Sequence, residues 1–231
     1  MYTNHIILDL EFNPVSFEDK KAKAILKNEI IEIGAVKLDK HLRMVDRFKC
    51  FIKPEHNNMI IPMISRLTGI HTATAFKAET FAPAMEQFVE WIGSGDRTRI
   101  YSWSDTDYQQ LKREYAYKKI PMPDCFNRIM DLQKIFPRMM KINNLRKTQK
   151  MALREAVLYM GVDLNNKKAH DALYDAEITS ELLKPLLNGE YRNQVNCLNQ
   201  FTQPSNNTTT LGDVCGGVLM NLLLQMQMET A

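Results

Sequence analysis

The chain is poor in cysteine, glycine and proline. Its 231 residues hold four cysteines, nine glycines and nine prolines. No two of Cys50, Cys125, Cys197 and Cys215 form a CxxC pair. That argues against a disulfide frame or a thiolate zinc site, and for reduced thiols in a cytoplasmic protein. With 45% hydrophobic and 25% charged residues, so little Gly and Pro excludes a collagen-like or wholly disordered chain. Long apolar runs are missing as well. None reaches the roughly 18 residues that a membrane-spanning helix needs, so no membrane is expected. The best stretch, Val214 to Leu224, is short and contains Asn221. Met1 to Leu10 has no basic region and carries Asp9, so no signal peptide is expected.

The length suits one globular domain with an appendage. The net charge of +3 is bland, but its distribution is not. Lys112 to Arg154 holds twelve Lys/Arg against Glu114, Asp124 and Asp131, a local charge of +9 that leaves −6 for the rest of the chain. Such separation suggests a polyanionic partner near that stretch, with a solvated basic face as the alternative.

His5 to Phe12 is an apolar strand ended by Pro14, and Asn13 to Asn28 is expected to be a polar, Lys-rich loop. Glu29 to Leu38 and Arg43 to Ile52 read as strands around a tight turn at 39–41. A short helix from Pro62 ends at Gly69, and a helical stripe from Phe81 to Ile92 stops at Gly93. Arg99 to Trp103 is a short strand, followed by a helix through Tyr108, Leu111 and Tyr115. Phe126 to Leu132 is expected to be a buried strand. Thr148 to Met160 and Ala172 to Leu187 are expected to be helices, the first closed by Gly161 and the second containing Pro185. Strands mixed with helices after an initial meander indicate an α/β sheet covered by helices.

The domain is expected to span 1–188. Residues 189–210 read as a polar linker, since Tyr191 to Thr210 holds five Asn, three Gln and four Thr. Residues 211–231 form an apolar, Met-rich tail segment, able to dock on the body, on a protein partner or on a second copy.

Four acids and a histidine carry the chemistry. Asp9 and Glu11 are two apart on the first strand, so alternation puts both carboxylates on one side of the sheet. Two acids in an apolar strand are costly to bury without a cation. Taken alone, they could be a solvent-facing pair at a strand end. Asp107 follows the Arg99–Trp103 strand, and alone it would be an exposed first-turn acid favoured by the helix dipole. Its neighbour Asp105 could serve as a helix N-cap. Asp175 lies near the start of the last helix, five residues after His170. On one continuous helix, residues five apart point about 140° away from each other at roughly 3.6 residues per turn. His170 should therefore lie in an extended segment before the helix, after Asn165 to Lys168, with Asp175 in its first turns.

As an ordered set these residues resemble the four-acid, histidine-type (DEDDh) 3′–5′ exonucleases of the DnaQ-like, proofreading-subunit superfamily. The matching motifs are Leu8-Asp9-Leu10-Glu11, Ile30-Ile-Glu-Ile-Gly-Ala-Val36, Leu67-Thr68-Gly69-Ile70, Ser102-Trp-Ser-Asp-Thr-Asp107 and His170-Asp-Ala-Leu-Tyr-Asp175-Ala176. They cover about residues 5 to 188. The loop after the first strand and the Ser-Trp-Ser-Asp-Thr-Asp motif are most similar to the KapD-like and histone-messenger-trimming branch. The resemblance implies a ribonuclease H-like fold, a mixed five-stranded sheet flanked by helices. It implies that Asp9, Glu11, Asp107 and Asp175 hold two divalent ions, Mg²⁺ or Mn²⁺, and that His170 is the general base. Asp107 is preferred to Asp105 because the family's second-motif acid precedes a hydrophobic residue by four, here Leu111. Phe12, Leu67 and Thr68 correspond to positions that meet the terminal nucleotide. Phe12 stands where many relatives have Thr or Ser, a departure that concerns how the terminal sugar is held.

The chemistry suits the residue types. Two cations roughly 3.5–4 Å apart would stabilise both the attacking and the leaving oxygen of a phosphodiester. Magnesium and manganese prefer hard oxygen ligands. A histidine ordinarily titrates near ~6.5 and can accept a proton at neutral pH. The expected activity is hydrolysis at the 3′ end of single-stranded RNA or DNA, releasing nucleoside 5′-monophosphates. The sequence leaves two other readings open. One is a nuclease-like regulatory or adaptor protein that binds a partner through its tail; the other is a ribonuclease H-like endonuclease.

Overall fold

A computed structural model describes residues 2–93, 97–140, 142, 150–162 and 170–190. Contacts divide the chain into two compact units, Met1–Leu132 with Asn166–Ser180, and Gln133–Asn165 with Glu181–Ala231. The first contains the sheet and every candidate site residue.

Strand β1 (Asn4–Pro14) is central. On one side it pairs antiparallel with β2 (Asn28–Asp39), which pairs antiparallel with β3 (Met44–Phe51). On the other side it pairs parallel with β4 (Thr98–Ser102), which pairs parallel with the two-residue β5 (Met130–Asp131). The order β3-β2-β1-β4-β5 is a mixed five-stranded sheet. The even residues Ile6, Leu8 and Leu10 enter the main core, beneath α4 (Phe81–Ile92) and α5 (Asp105–Lys118). Phe81, Phe88, Leu111 and Phe126 fill that layer and are fully buried. The odd residues, Asp9 and Glu11 among them, therefore belong to the opposite face.

A bulge interrupts the β1–β2 ladder: Glu11 pairs with Glu32, but Phe12 pairs with Ile30. The extra residue, Ile31, packs with Ile60, Ile70 and Ala75, whereas Ile30 joins the main core. One added residue thus feeds two apolar clusters and re-aims the chain just after Glu11. The second cluster sits under α2 (Pro62–Thr68) and α3 (Thr72–Ala75). Asn13, fully buried, anchors this region: its amide donates to the Met59 carbonyl (3.0 Å) and its side-chain oxygen accepts from the Ile61 N–H (3.0 Å).

Two expectations are corrected. The segment 13–28 contains a helix, α1 (Lys20–Ile25), capped by Asp19, whose carboxylate accepts from the Ala22 N–H (2.9 Å). Its polar face masked a short apolar side, on which Ala22 and Leu26 bury against Val15. Residues 126–132 are not one strand. A 3-10 helix, Asp124–Arg128, drives Phe126 into the core, two residues pair as β5, and α6 (Leu132–Met139) begins at once. A run rich in apolar residues cannot by itself distinguish a buried strand from a tight helical turn.

In the second unit, α7 (Leu153–Met160) starts later than expected and ends at Gly161, with φ 65°. There Phe136 meets Tyr159 edge-on (6.3 Å between centroids), and the Gln133 amide donates to the Met151 carbonyl (2.8 Å). Helix α8 (Ala172–Asn188) contains Pro185. The expected linker beyond Glu190, the tail Leu211–Met228, the segment 165–168 and part of the basic stretch lie outside the described residues. Among the described residues, no helix is long and apolar enough to cross a membrane.

Candidate active site

Asp9 lies opposite Gly34, and Glu11 opposite Glu32, on the face of β1 and β2 turned away from the main core. The first turn of α8 covers that face at Gly34. A Cβ on Gly34 would lie 2.1 Å from the Ala172 carbonyl carbon and from the Leu173 nitrogen, so only glycine admits this approach. The close packing brings Asp175 down to β1. Ligand atoms of Glu11, His170 and Asp175 lie within 4.8 Å of one another.

His170 precedes α8 by two residues and adopts φ 66°, a left-handed turn rather than the expected extended conformation. This conformation is uncommon for a residue bearing a Cβ. The Asp175 carboxylate holds it by accepting from the His170 backbone N–H (3.1 Å). His170 is exposed. Reversing the chain there lets two residues five apart face one site.

Asp107 approaches from the first turn of α5. Ser104 is the N-cap, its hydroxyl accepting from the Thr106 N–H (3.2 Å), so neither Asp105 nor Asp107 is consumed as a cap. Asp107 is buried, and its carboxylate accepts from the Leu10 backbone N–H on β1. Asp105 is less buried.

Electrostatics tie the four acids into one cluster. Burial first, then repulsion from Asp107, Asp175, Glu11 and Glu32, holds the Asp9 carboxyl well above the usual range. Burial, reinforced by Asp175, Glu32 and Asp107, pushes Glu11 up to about 8. Burial raises Asp107 to about 7 against the backbone donors that favour its charge. Burial also raises Asp175 to about 6, opposed by the His170 N–H. Such a cluster cannot ionise fully at neutral pH without a compensating cation. Its donors are carboxylate oxygens and an imidazole, with no thiolate, which fits a hard divalent cation.

The remaining expected contacts are placed as follows. Phe12 is half-buried against the core edge, and Leu67 is 45% exposed on α2. The Thr68 hydroxyl donates to the Ile64 carbonyl (2.9 Å) and accepts from the Ile70 N–H (3.1 Å), so it closes α2 internally. Three charged residues beside the acids have no role in the sequence reading: Glu32, Lys49 and Asp171. Glu32 was detectable, being an acid inside an apolar strand like Asp9. Lys49 and Asp171 carried no local signal.

The sheet order, the bulge and the acidic face define an α/β protein with a ribonuclease H-like fold. An exonuclease family model (RNase_T) matches residues 6–183, and the chain belongs to that family. It is 25% identical over 129 residues to 3′-5′ exoribonuclease 1 of Rattus norvegicus, covering 52% of this chain and 36% of that protein. It is 22% identical over 167 residues to DNA polymerase III subunit epsilon of Escherichia coli K12, covering 71% and 64%. The chain thus spans under two thirds of both curated relatives. Among solved structures, the nuclease domain of 3′hExo, a DEDDh family member bound to rAMP, superposes with a TM-score of 0.69 at 20% identity, covering 81% of this chain and 93% of that one.

Proposed function

We propose that this protein is a metal-dependent 3′–5′ exonuclease that shortens single-stranded RNA or DNA from the 3′ end and releases nucleoside 5′-monophosphates. The observation that carries the reading is the gathering of Asp9, Glu11, Asp107 and Asp175, from three separate parts of the chain, into one mutually repelling cluster in which ligand atoms of Glu11, Asp175 and His170 lie within 4.8 Å of one another. Membership of the exonuclease family supports it.

In this reading the four carboxylates hold two divalent cations, Mg²⁺ or Mn²⁺. When bound, the cations supply charge stabilisation for both oxygens of an in-line displacement. His170, exposed at the pocket rim, takes a proton from the attacking water. Its left-handed turn and the Asp175 contact fix where its ring can stand. Water adds to the terminal phosphorus, the bond to the preceding 3′-oxygen breaks, and that oxygen leaves with a proton from solvent. Exposed Leu67 and half-buried Phe12 would offer apolar contacts to the last bases; stacking of a base on the Phe12 ring tolerates any sequence.

The test uses 5′-labelled single-stranded oligonucleotides of RNA and of DNA with Mg²⁺ or Mn²⁺. Progressive shortening from the 3′ end, abolished by EDTA and by Asp9→Asn, is expected. Intact substrates of both kinds would end the proposal, and cutting of a circular substrate would indicate an endonuclease instead.

A further inference from the structure

Two acids beside the pocket, Glu32 and Asp171, are joined by one cation. Lys49 Nζ lies 2.9 Å from Glu32 Oε1 and 2.6 Å from Asp171 Oδ2. The other oxygen of each acid is bound to the start of α8. Glu32 Oε2 accepts from the Ala172 N–H (3.3 Å), and Asp171 Oδ1 accepts from the Tyr174 N–H (3.1 Å). Asp171 is therefore the N-cap of α8, and Lys49 grips the cap from β3. Glu32 Oε2 is hydrogen-bonded to the helix start, and Oε1 meets Lys49 as an ion pair without a hydrogen bond, so this buried acid links the lysine to α8.

The grip reaches the pocket through short links. Lys49 is in register with Gly34, and Gly34 with Asp9, which aligns three strands under the helix start. The Asp175 N–H donates to the Asp171 carbonyl (2.9 Å), and the Asp175 carboxylate returns to His170. Any drift of the Asp171 cap therefore carries Asp175 and His170 with it.

We infer that Lys49 is a positioning residue: by bridging Glu32 and Asp171 it fixes the first turn of α8, and with it Asp175 and His170, over the β1 carboxylates. The inference rests on the function proposed above. Groups that orient metal ligands typically matter about 10–100-fold for metal affinity. A simple electrostatic role predicts the opposite sign. A lysine beside a cation site repels the cation, so its removal would tighten binding.

The test titrates Mn²⁺ into full-length protein and follows free Mn²⁺ by electron paramagnetic resonance, alongside kcat and KM on a single-stranded oligonucleotide. Lys49→Met is expected to weaken Mn²⁺ binding about 10-fold and to lower kcat at unchanged KM. Lys49→Arg, which keeps the charge, recovers most of the loss. Arg47→Met removes the neighbouring β3–α8 ion pair to Glu177 (2.6 Å) and should change neither quantity. If Lys49→Met does not fold, Lys49→Gln replaces it with the same expected sign. Unchanged or tighter Mn²⁺ binding overturns the inference, and so does an equal loss in Arg47→Met. Wild-type protein that binds Mn²⁺ and hydrolyses substrate keeps the functional reading intact in that event. A wild type that does neither removes both.

Discussion

Gly34 lies directly under Ala172: a Cβ added there would sit 2.1 Å from the Ala172 carbonyl carbon. The helix backbone cannot yield by rotating a side chain, so the whole first turn would have to lift. Gly34→Ala is therefore expected to cost more than the roughly 1–3 kcal/mol of ordinary overpacking and to reduce hydrolysis strongly. Thermal denaturation and oligonucleotide turnover measure the two effects. A variant with wild-type melting and turnover would show that α8 does not depend on this contact.

The acid cluster should make the metal-free protein less stable as pH rises. Glu11 at about 8, Asp107 at about 7 and Asp175 at about 6 all stand above their ordinary values. The folded state then binds more protons than the unfolded state from about pH 4 to about pH 8. The slope of unfolding free energy against pH is negative across that window. The melting temperature of EDTA-treated protein should fall from pH 5 to pH 8, and Mn²⁺ should recover most of the fall. Glu114, raised to about 8 by burial on α5, adds a part that metal will not relieve. A flat metal-free profile would contradict the predicted clustering.

Asp9→Asn and Asp175→Asn should separate stability from activity. Each removes a charge from a repulsive set, so metal-free protein at pH 8 should melt higher than wild type. Each also removes a proposed ligand, so turnover should fall at least about 100-fold. Paired measurements of melting and turnover on the same preparations check this. Variants that lose stability and keep activity would reverse the assignment.

His170 combines a strained backbone with a proposed proton-transfer role. Replacement by glycine tolerates φ 66°, whereas alanine does not, so His170→Ala should be less stable than His170→Gly by about 1 kcal/mol. Both should lose activity about 100-fold or more. The pH dependence that a general base confers on wild-type kcat should vanish in both variants. A pH–rate profile that keeps its shape without the ring would remove His170 from the role of base.

The basic stretch 112–154 predicts salt-sensitive binding. Each single-strand phosphate contacted should contribute about −0.7 to the slope of log affinity against log salt. Fluorescence anisotropy with metal-free protein measures that slope. Charge reversal at Lys112 and Arg113 should make it shallower, and an unchanged slope would place the contacts elsewhere.

Much of the sheet was legible because its signals are local. Alternation at Ile6, Leu8 and Leu10 marked β1, and glycines at 69, 93 and 161 marked helix ends. The misread segments were those where tertiary burial selected among local options. Phe126 enters the core from a 3-10 turn, and Ala22 turns a Lys-rich stretch into a helix. Asp9 and Glu11 stood out as charges inside an apolar strand. Between Asp105 and Asp107 the family resemblance offered a preference through Leu111; burial and the Leu10 N–H distinguish them in space.

The linear order of residues was enough to specify the family, the strand that carries two acids and the spacing that forbids His170 and Asp175 from sharing a helix face. The family rests on the resemblance of the ordered motifs; the other two features depend on backbone periodicity, which acts over a few residues. Only the folded chain decided that Glu32, Lys49 and Asp171 join at the base of α8, since these residues lie up to 140 positions from their partners. Their interaction depends on strand register and on the missing side chain of Gly34, neither of which a local pattern records.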